Sequence, residues 1–445
     1  ITSFSVFIFI MAIKYYDRYK KNRLINDITL FVRKNYYKLI VSITIIFILL
    51  SIHLFTNFYQ TSAVLFQSKV PYQKEKDYFL ENFHTTKLRN KPNKNLIIIY
   101  LESFDKIFSN KEIFNEDLLS SLYKKTKELD GKVLFKINST PGANWTQASL
   151  VASQCGIPLK PLGLNKQNLV TTSFLKNHQC ISDYLKDDGN YHTEFITGTP
   201  LSFSNLDGFL KDHNFGNIYG KKRLIDLGYK ENISGWSNSV SDQNTIDFLK
   251  KRIKYLDVNN KNYFINLLTV DTHLPGNYYD KNHCKNENLE KFSKNIFLNK
   301  LYFYKKFMND FTLEETYELY QVYFNTANTN ITELKIAVKC TSSLIENFIE
   351  FFKANKFENT NLFIVGDHEY FDFQNNYPKR EIFNIYFGNQ FNFDNVEILQ
   401  YDLFPFFLKA LGFNLLDNKS NFGIFPDKKK NILKRVNKIN KSIYN

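Results

Sequence analysis

Acid, hydroxyl and imidazole side chains collect at the ends of three apolar runs. The first run, residues 95–103, reads NLIIIYLES and closes on Glu102 and Ser103. The second, Phe264 to Val270, is followed by Asp271, Thr272 and His273. The third, Asn361 to Val365, is followed by Gly366, Asp367 and His368. A carboxylate beside an imidazole is half of a Zn²⁺ or Mn²⁺ site. Each residue alone has a plainer reading, because an acid after a strand is commonly an exposed loop residue and a lone histidine is commonly structural. Their shared position after buried runs makes convergence possible, since open α/β sheets bind ligands outside the carboxyl ends of their strands.

A fourth element, residues 138–159, reads NSTPGANWTQASLVASQCGIPL. Pro141 and Gly142 make a turn, and TQASLVASQ is rich in helix formers. Asn144 is the expected cap, which places Thr146 in the first helical turn. A hydroxyl there meets unsatisfied backbone N–H groups and the positive helix end, a setting that suits phosphate. Thr146 is then either a cap or a nucleophile, and the second role needs a metal to lower its pKa.

These residues need a frame. Continuous apolar runs of strand length fit strands buried on both faces. EIFNIYFGN, residues 381–389, is expected as a fourth strand. Helical patterns separate the runs, among them 313–327 and 341–356, and YDLFPFFLKALGF at 401–413 reads as a helix ending at Gly412. The alternation predicts an α/β fold with a largely parallel central sheet flanked by helices.

Composition narrows the class. Aromatic residues at 17% and hydrophobic residues at 43% rule out a disordered chain. Only 16 Gly and 10 Pro rule out collagen-like sequence. The net charge of +14 is explained by topology before nucleic acid is invoked. Residues 39–55, LIVSITIIFILLSIHLF, are long enough for a thin membrane span. The preceding loop, 14–38, carries eight Lys/Arg and two Asp, so the positive-inside rule puts it in the cytoplasm and the chain after about residue 60 outside. The apolar stretch ITSFSVFIFIMAI is expected to be the end of an earlier helix. The expected organisation is the end of a transmembrane anchor (1–60), a juxtamembrane tether (61–92), a catalytic domain (93–425) and a basic tail (426–445). Cys155, Cys180, Cys284 and Cys340 lack C-x-x-C spacing and fit two disulfides in an oxidising compartment. Three pairings exist, and local order favours Cys155–Cys180 and Cys284–Cys340.

Together, Glu102 after a strand, Thr146 opening a helix and Gly366-Asp367-His368 after a later strand resemble the alkaline-phosphatase-like sulfatase superfamily. Within it they resemble the membrane-anchored phospholipid head-group transferases. WTQASLVASQCGIPL at 145–159 and LTVDTHLP at 268–275 are similar to the nucleophile and histidine segments of the phosphoglycerol transferases of periplasmic glucans. The resemblance runs from about residue 93 to 415. It implies that Glu102, Thr146, Asp367 and His368 bind one divalent metal, Mn²⁺ or Zn²⁺. It implies that Thr146 is the nucleophile and that His273 contacts the phosphoryl group. It agrees with the cysteine pairing given by local order. It implies an anionic phospholipid donor, a periplasmic glycan or lipid acceptor, an inner-membrane location with the catalytic domain in the periplasm, and no nucleic-acid partner. Phosphoethanolamine transfer and metal-dependent phosphodiester hydrolysis are the alternatives.

Two departures qualify this. Residues 198–207, where relatives often carry a cation, hold no Lys or Arg. Trp236 and Asp242, in GWSNSVSD, are candidates for shaping a head-group pocket, with packing as the other role open to Trp236. Sulfatases proper need a Cys or Ser converted to formylglycine and a following Arg. Thr146-Gln147-Ala148-Ser149-Leu150 has neither the Cys nor the Arg, so sulfate-ester hydrolysis is not expected.

Overall fold

The computed structural model describes residues 85–425, apart from 141, 160–174, 177, 234, 275–277, 281–283, 285–330, 358 and 372–379. The chain divides into two units, Ile1–Tyr72 and Gln73–Asn445, and every described residue belongs to the second. The expected anchor, the basic loop 14–38, the helix at 313–327 and the tail 426–445 lie outside the described residues. Among the described residues, no helix is long and apolar enough to cross a membrane.

The first apolar run forms strand β1, Asn95–Leu101, buried at every position. Its side chains alternate between two cores, as the two-residue period of a strand requires. Leu96, Ile98 and Tyr100 enter one core, and Ile97, Ile99 and Leu101 enter the other. Each such aliphatic side chain contributes roughly 1.5–3 kcal/mol by leaving water. Being apolar on both faces, β1 must lie in the middle of a covered sheet.

It does so in a six-stranded sheet with β2 (Phe135–Asn138) in a separate small sheet, and with β3 (Tyr191–Thr197), β4 (Asn217–Tyr219), β5 (Asn262–Leu268), β6 (Thr360–Gly366), β7 (Glu381–Ile382) and β8 (Asn384–Phe387) following in sequence. The order across the main sheet is β4-β3-β5-β1-β6-β8. Its first five strands are parallel, and β8 runs antiparallel to β6. The sheet is therefore mixed. The expected strand at 381–389 is broken at Phe383, and its two halves join different sheets. Residues 367–383 separate β6 from β8, which returns beside β6 in the opposite direction. Strand β7 pairs with β2, which also pairs with β9, Val396–Leu399.

Helices cover both faces. On one lie α1 (Thr146–Cys155), α2 (Ile181–Asp188) and, later in the chain, Leu403–Ala410; on the other lie Asp242–Val258 and Ile331–Asn355. The last of these starts ten residues before the expected 341, because Leu334, Ala337, Val338 and Thr341 continue the buried stripe. Residues of the expected tether already pack on the domain: Leu88 bridges Leu415, and Arg89 N–H donates to the Asn414 carbonyl. Disulfides join Cys155 to Cys180 and Cys284 to Cys340. The first ties the end of α1 to the N-cap of α2.

Candidate active site

Sheet register brings the three acid-bearing strand ends together. Strand β1 lies between β5 and β6, with Tyr100 opposite Leu268 and Leu101 opposite Gly366. Glu102, the 269–273 turn and Asp367-His368 therefore leave the same carboxyl edge on adjacent strands, about 4.8 Å apart. Gly366 makes this approach possible, since a Cβ there would lie 1.8 Å from the Phe104 carbonyl oxygen.

Side-chain bonds fix each group. Ser103 turns the chain after Glu102 with a left-handed backbone, φ 51°. Its N–H donates to Asp367 Oδ1 at 2.7 Å, and its hydroxyl donates to Glu102 Oε1 at 2.8 Å. The Thr269 hydroxyl accepts from Glu102 N–H at 2.9 Å, and the Thr272 hydroxyl donates to the Glu102 carbonyl at 2.5 Å. Asp367 Oδ1 also accepts from His368 N–H at 2.7 Å. From below, Gln400 Nε2 donates to the Asp367 carbonyl at 2.8 Å and to Ser149 on α1 at 3.2 Å. Sequence reasoning missed Thr269 and Gln400, and named Thr272 only as part of the Asp271-Thr272-His273 turn. The two threonines had a signal in their place after a buried run. Gln400 had none, because it arrives from β9.

Glu102, Asp367 and His368 are all buried, with one ligand atom each inside a 4.8 Å cluster. Thr146 Oγ1 lies 3.2 Å from Glu102 Oε2 and 3.3 Å from His368 Nε2. His368 Nε2 lies 3.4 Å from Glu102 Oε1 and 3.5 Å from Asp367 Oδ2. Two ligands bound at ~2.1 Å to one metal at the tetrahedral angle lie about 3.4 Å apart. His368 Nδ1 faces the Glu369 carbonyl at 2.8 Å, which leaves Nε2 as the ligand atom, the usual outer support of a metal-binding histidine. Asp367 Oδ2 is buried without a hydrogen-bond partner among the described residues. A buried carboxylate oxygen with no donor is a costly arrangement that a cation relieves. The donor set thus fits a divalent metal.

The electrostatics agree. Burial pushes the Glu102 carboxyl up, but His273 and His368 outweigh it and hold the group down at about 2. Burial and then Glu102 raise Asp367 to about 7. Burial alone would lower His368, yet Asp367 and Glu102 hold it up at about 9. Two carboxylates thus focus negative potential on one point, where a proton and a metal compete.

Thr146 is the first residue of α1. The N-cap is Trp145, with no side-chain cap bond, in place of the expected Asn144. The first main-chain bond runs from Ser149 N–H to the Trp145 carbonyl, so the helix opening keeps its first N–H groups beside Glu102 and His368. The Thr146 hydroxyl is engaged with Glu102 and His368, not with its own helix. Thr146 also lines a cavity with Glu102, Gln147, Thr199, Trp236 and His273, and apolar side chains complete the wall. His273 Nδ1 faces the Leu274 carbonyl at 3.0 Å, leaving Nε2 for the cavity. The Trp236 ring packs 4.7 Å from His273 and 4.6 Å from Phe203. Asp242, by contrast, is fully buried and does not line the cavity. Its carboxylate accepts from Val270 N–H at 2.8 Å and Asp271 N–H at 3.0 Å, so it holds the turn that carries His273.

Known proteins agree with this frame. The family model described as Sulfatase matches residues 94–393. The chain belongs to the sulfatase family. Phosphoglycerol transferase I of Escherichia coli O127:H6 is 32% identical over 194 residues, which cover 43% of this chain and 24% of that protein. The enzyme of the same name from Shigella boydii serotype 18 is 31% identical over the same length. The match thus spans about a quarter of these curated relatives. A solved alkaline-phosphatase-superfamily protein from Vibrio parahaemolyticus is similar at TM-score 0.51 and 18% identity, covering 77% of this chain and 76% of its own. A lipoteichoic acid synthase from Listeria monocytogenes is similar at TM-score 0.52 and 14% identity, covering 79% and 80%. At such identities the likeness is one of fold, an alkaline-phosphatase-like α/β sheet flanked by helices.

Proposed function

We propose that this sulfatase-family domain is a phosphotransferase that moves phosphoglycerol from phosphatidylglycerol to a periplasmic glycan through Thr146. The observation that carries the reading is the Thr146 hydroxyl, set 3.2–3.3 Å from Glu102 and His368 at an uncapped helix opening. The name of the curated relatives, phosphoglycerol transferase I, supports the choice of group. A divalent cation held by Glu102, Thr146, Asp367 and His368, Mn²⁺ or Zn²⁺, would lower the hydroxyl pKa and neutralise phosphoryl charge. The four residues hold donors and acceptors in one place, which is most of what phosphoryl transfer requires.

The chain's own groups account for the remaining steps. Thr146 Oγ1 bonds to phosphorus as the bond from phosphorus to the diacylglycerol oxygen breaks. Net, the threonine proton ends on diacylglycerol, and His273 Nε2 is the group placed to carry it. Free N–H groups at the start of α1 donate to the non-bridging oxygens. An acceptor hydroxyl then attacks the phosphorus of the Thr146 adduct, gives its proton to the pocket and restores the threonine. Trp236 offers a flat wall to the glycerol. We place the domain on the periplasmic face of the cytoplasmic membrane, held by the apolar segments of residues 1–60. That location agrees with two disulfides.

The test is Thr146→Ala in the full chain, supplied with phosphatidylglycerol vesicles labelled in the head group. Loss of label transfer with an unchanged melting curve is expected. Mass spectrometry of trapped Thr146 in the unsubstituted protein should show a glycerophosphoryl adduct. A phosphoethanolamine mass, or full transfer by Thr146→Ala, refutes the proposal.

A further inference from the structure

We propose that Gln147 is a substrate-contacting residue whose side-chain amide donates to a non-bridging oxygen of the phosphoryl group carried by Thr146. The inference rests on the phosphoryl-transfer reading above and extends it to a residue outside the metal cluster. Gln147 is the second residue of the ten-residue helix α1, next to the nucleophile. It lines the cavity together with Thr146, Glu102, Trp236 and His273, and its relative exposure is only 2%.

Its amide nitrogen is buried and has no hydrogen-bond partner among the described residues. That is unusual, because buried polar groups are nearly always paired, and leaving one unpaired costs about 1–3 kcal/mol. Gln154, two turns along the same helix, has its amide nitrogen paired. Its Nε2 donates to Tyr100 at 2.6 Å and to Asn266 at 3.0 Å. Nearby acceptors are already in use at the other site. The Glu102 oxygens receive Ser103 and Thr146, and the Thr199 hydroxyl is 3.1 Å from that of Thr197. The fold thus carries an open donor beside the nucleophile.

The chemistry of the wall says what should meet that donor. An amide N–H seeks an oxygen acceptor. Among the described residues the cavity lining contains no Lys or Arg, so a phosphoryl group there finds neutral donors in place of a guanidinium or ammonium. Leu150, Leu206, Leu268 and Val270 keep the lining apolar, and fixed donors in such a setting act strongly on developing charge. An open donor adjacent to the attacking oxygen fits a non-bridging oxygen on phosphorus.

The experiment compares wild type, Gln147→Met, Gln147→Glu and Thr146→Ala as full chains with Mn²⁺ and phosphatidylglycerol vesicles. Single-turnover formation of the Thr146 adduct, Mn²⁺ affinity and urea stability are measured on each. Loss of one preorganised donor to developing charge slows reactions about 10²–10³-fold. Gln147→Met should slow adduct formation by about 100-fold, and Gln147→Glu, which points a negative charge at the phosphate, by more. Mn²⁺ affinity should not change, and Gln147→Met should be at least as stable as wild type, because it removes an unpaired buried donor. A purely structural glutamine would instead lose stability on the same change. Adduct formation within threefold of wild type in either Gln147 variant, with Thr146→Ala inactive, overturns this inference and leaves the proposed function standing. Undiminished transfer by Thr146→Ala overturns the function itself.

Discussion

Gly366→Ala is a test of how tightly the sheet positions its chemistry. Gly366 ends β6 and precedes Asp367 directly. An added Cβ would sit 1.8 Å from the Phe104 carbonyl oxygen and 2.8 Å from the Phe104 carbonyl carbon. Real Cβ contacts essentially never fall below 3.0 Å, so at least 3.0 − 1.8 = 1.2 Å must open between β6 and the segment after β1. Both partners are backbone, and Gly366 N–H is already bonded to the Phe383 carbonyl at 2.9 Å, so neither yields cheaply. Overpacking of this kind costs about 1–3 kcal/mol. The functional effect should be larger than the stability effect. A shift of 1.2 Å at residue 366 passes to Asp367, whereas a metal site tolerates only about 0.2 Å in its ligand distances. Misplacement by ~1 Å costs about 100-fold in rate. We expect Gly366→Ala to remain folded by circular dichroism, to lose about 1–3 kcal/mol in urea titration, and to bind Mn²⁺ at least tenfold more weakly by calorimetry. A variant that folds and binds Mn²⁺ as wild type does would refute the claim that close approach of β1 and β6 sets the ligand geometry.

Three further outcomes are open to measurement. Replacing both Cys155 and Cys180 by Ala releases a loop of sequence separation 25, worth about 3.5 kcal/mol by loop entropy, and should lower the urea midpoint by a matching amount. Arg252 donates to Glu194 at 2.9 and 2.5 Å, and Glu194 is fully buried; Arg252→Leu should cost about 3–5 kcal/mol, and adding Glu194→Leu should recover most of it. Burial lifts the Asp242 carboxyl to about 7, and burial with Asp242 pushes Asp271 well up. Both folded values exceed the unfolded ~3.9, so this pair's stabilisation is full below about pH 4 and declines as pH rises through about 7. Asp271→Asn should flatten that decline between pH 5 and pH 8 in urea titrations, and an unaltered slope would count against the pairing.

Legibility in the sequence followed burial and chemistry. The runs at 95–101, 264–270 and 361–365 were readable as strands because they are apolar on both faces. Strand β3, YHTEFIT, was not, because it carries His192, Thr193 and Glu194; the acid is satisfied only by Arg252 from a distant helix. The residue types of the Glu102, Asp367 and His368 cluster were legible because their order after buried runs repeats. Their distances were not, since these depend on β1 lying between β5 and β6. Asn144 was the natural cap by composition. The structure caps α1 with Trp145 and leaves the helix opening free of a side-chain acceptor. Asp242 looked like a pocket residue beside Trp236, yet it turns inward to main-chain amides.

The position of β1 also bears on how the protein is made. It emerges first among the strands of the main sheet and sits at its centre, between two neighbours that follow much later. Ser103 and its acceptor Asp367 are 264 residues apart. At ordinary synthesis rates of about 5–20 residues per second, that separation is a wait on the order of 10–50 s. Until β6 arrives, an apolar strand has an unpaired edge, the feature from which aggregation starts. Glu102 is meanwhile a lone carboxylate with no partner for a cation. Asp367 and His368 therefore join Glu102 only late in synthesis, and the interval in which the nascent domain most needs a chaperone ends when they arrive.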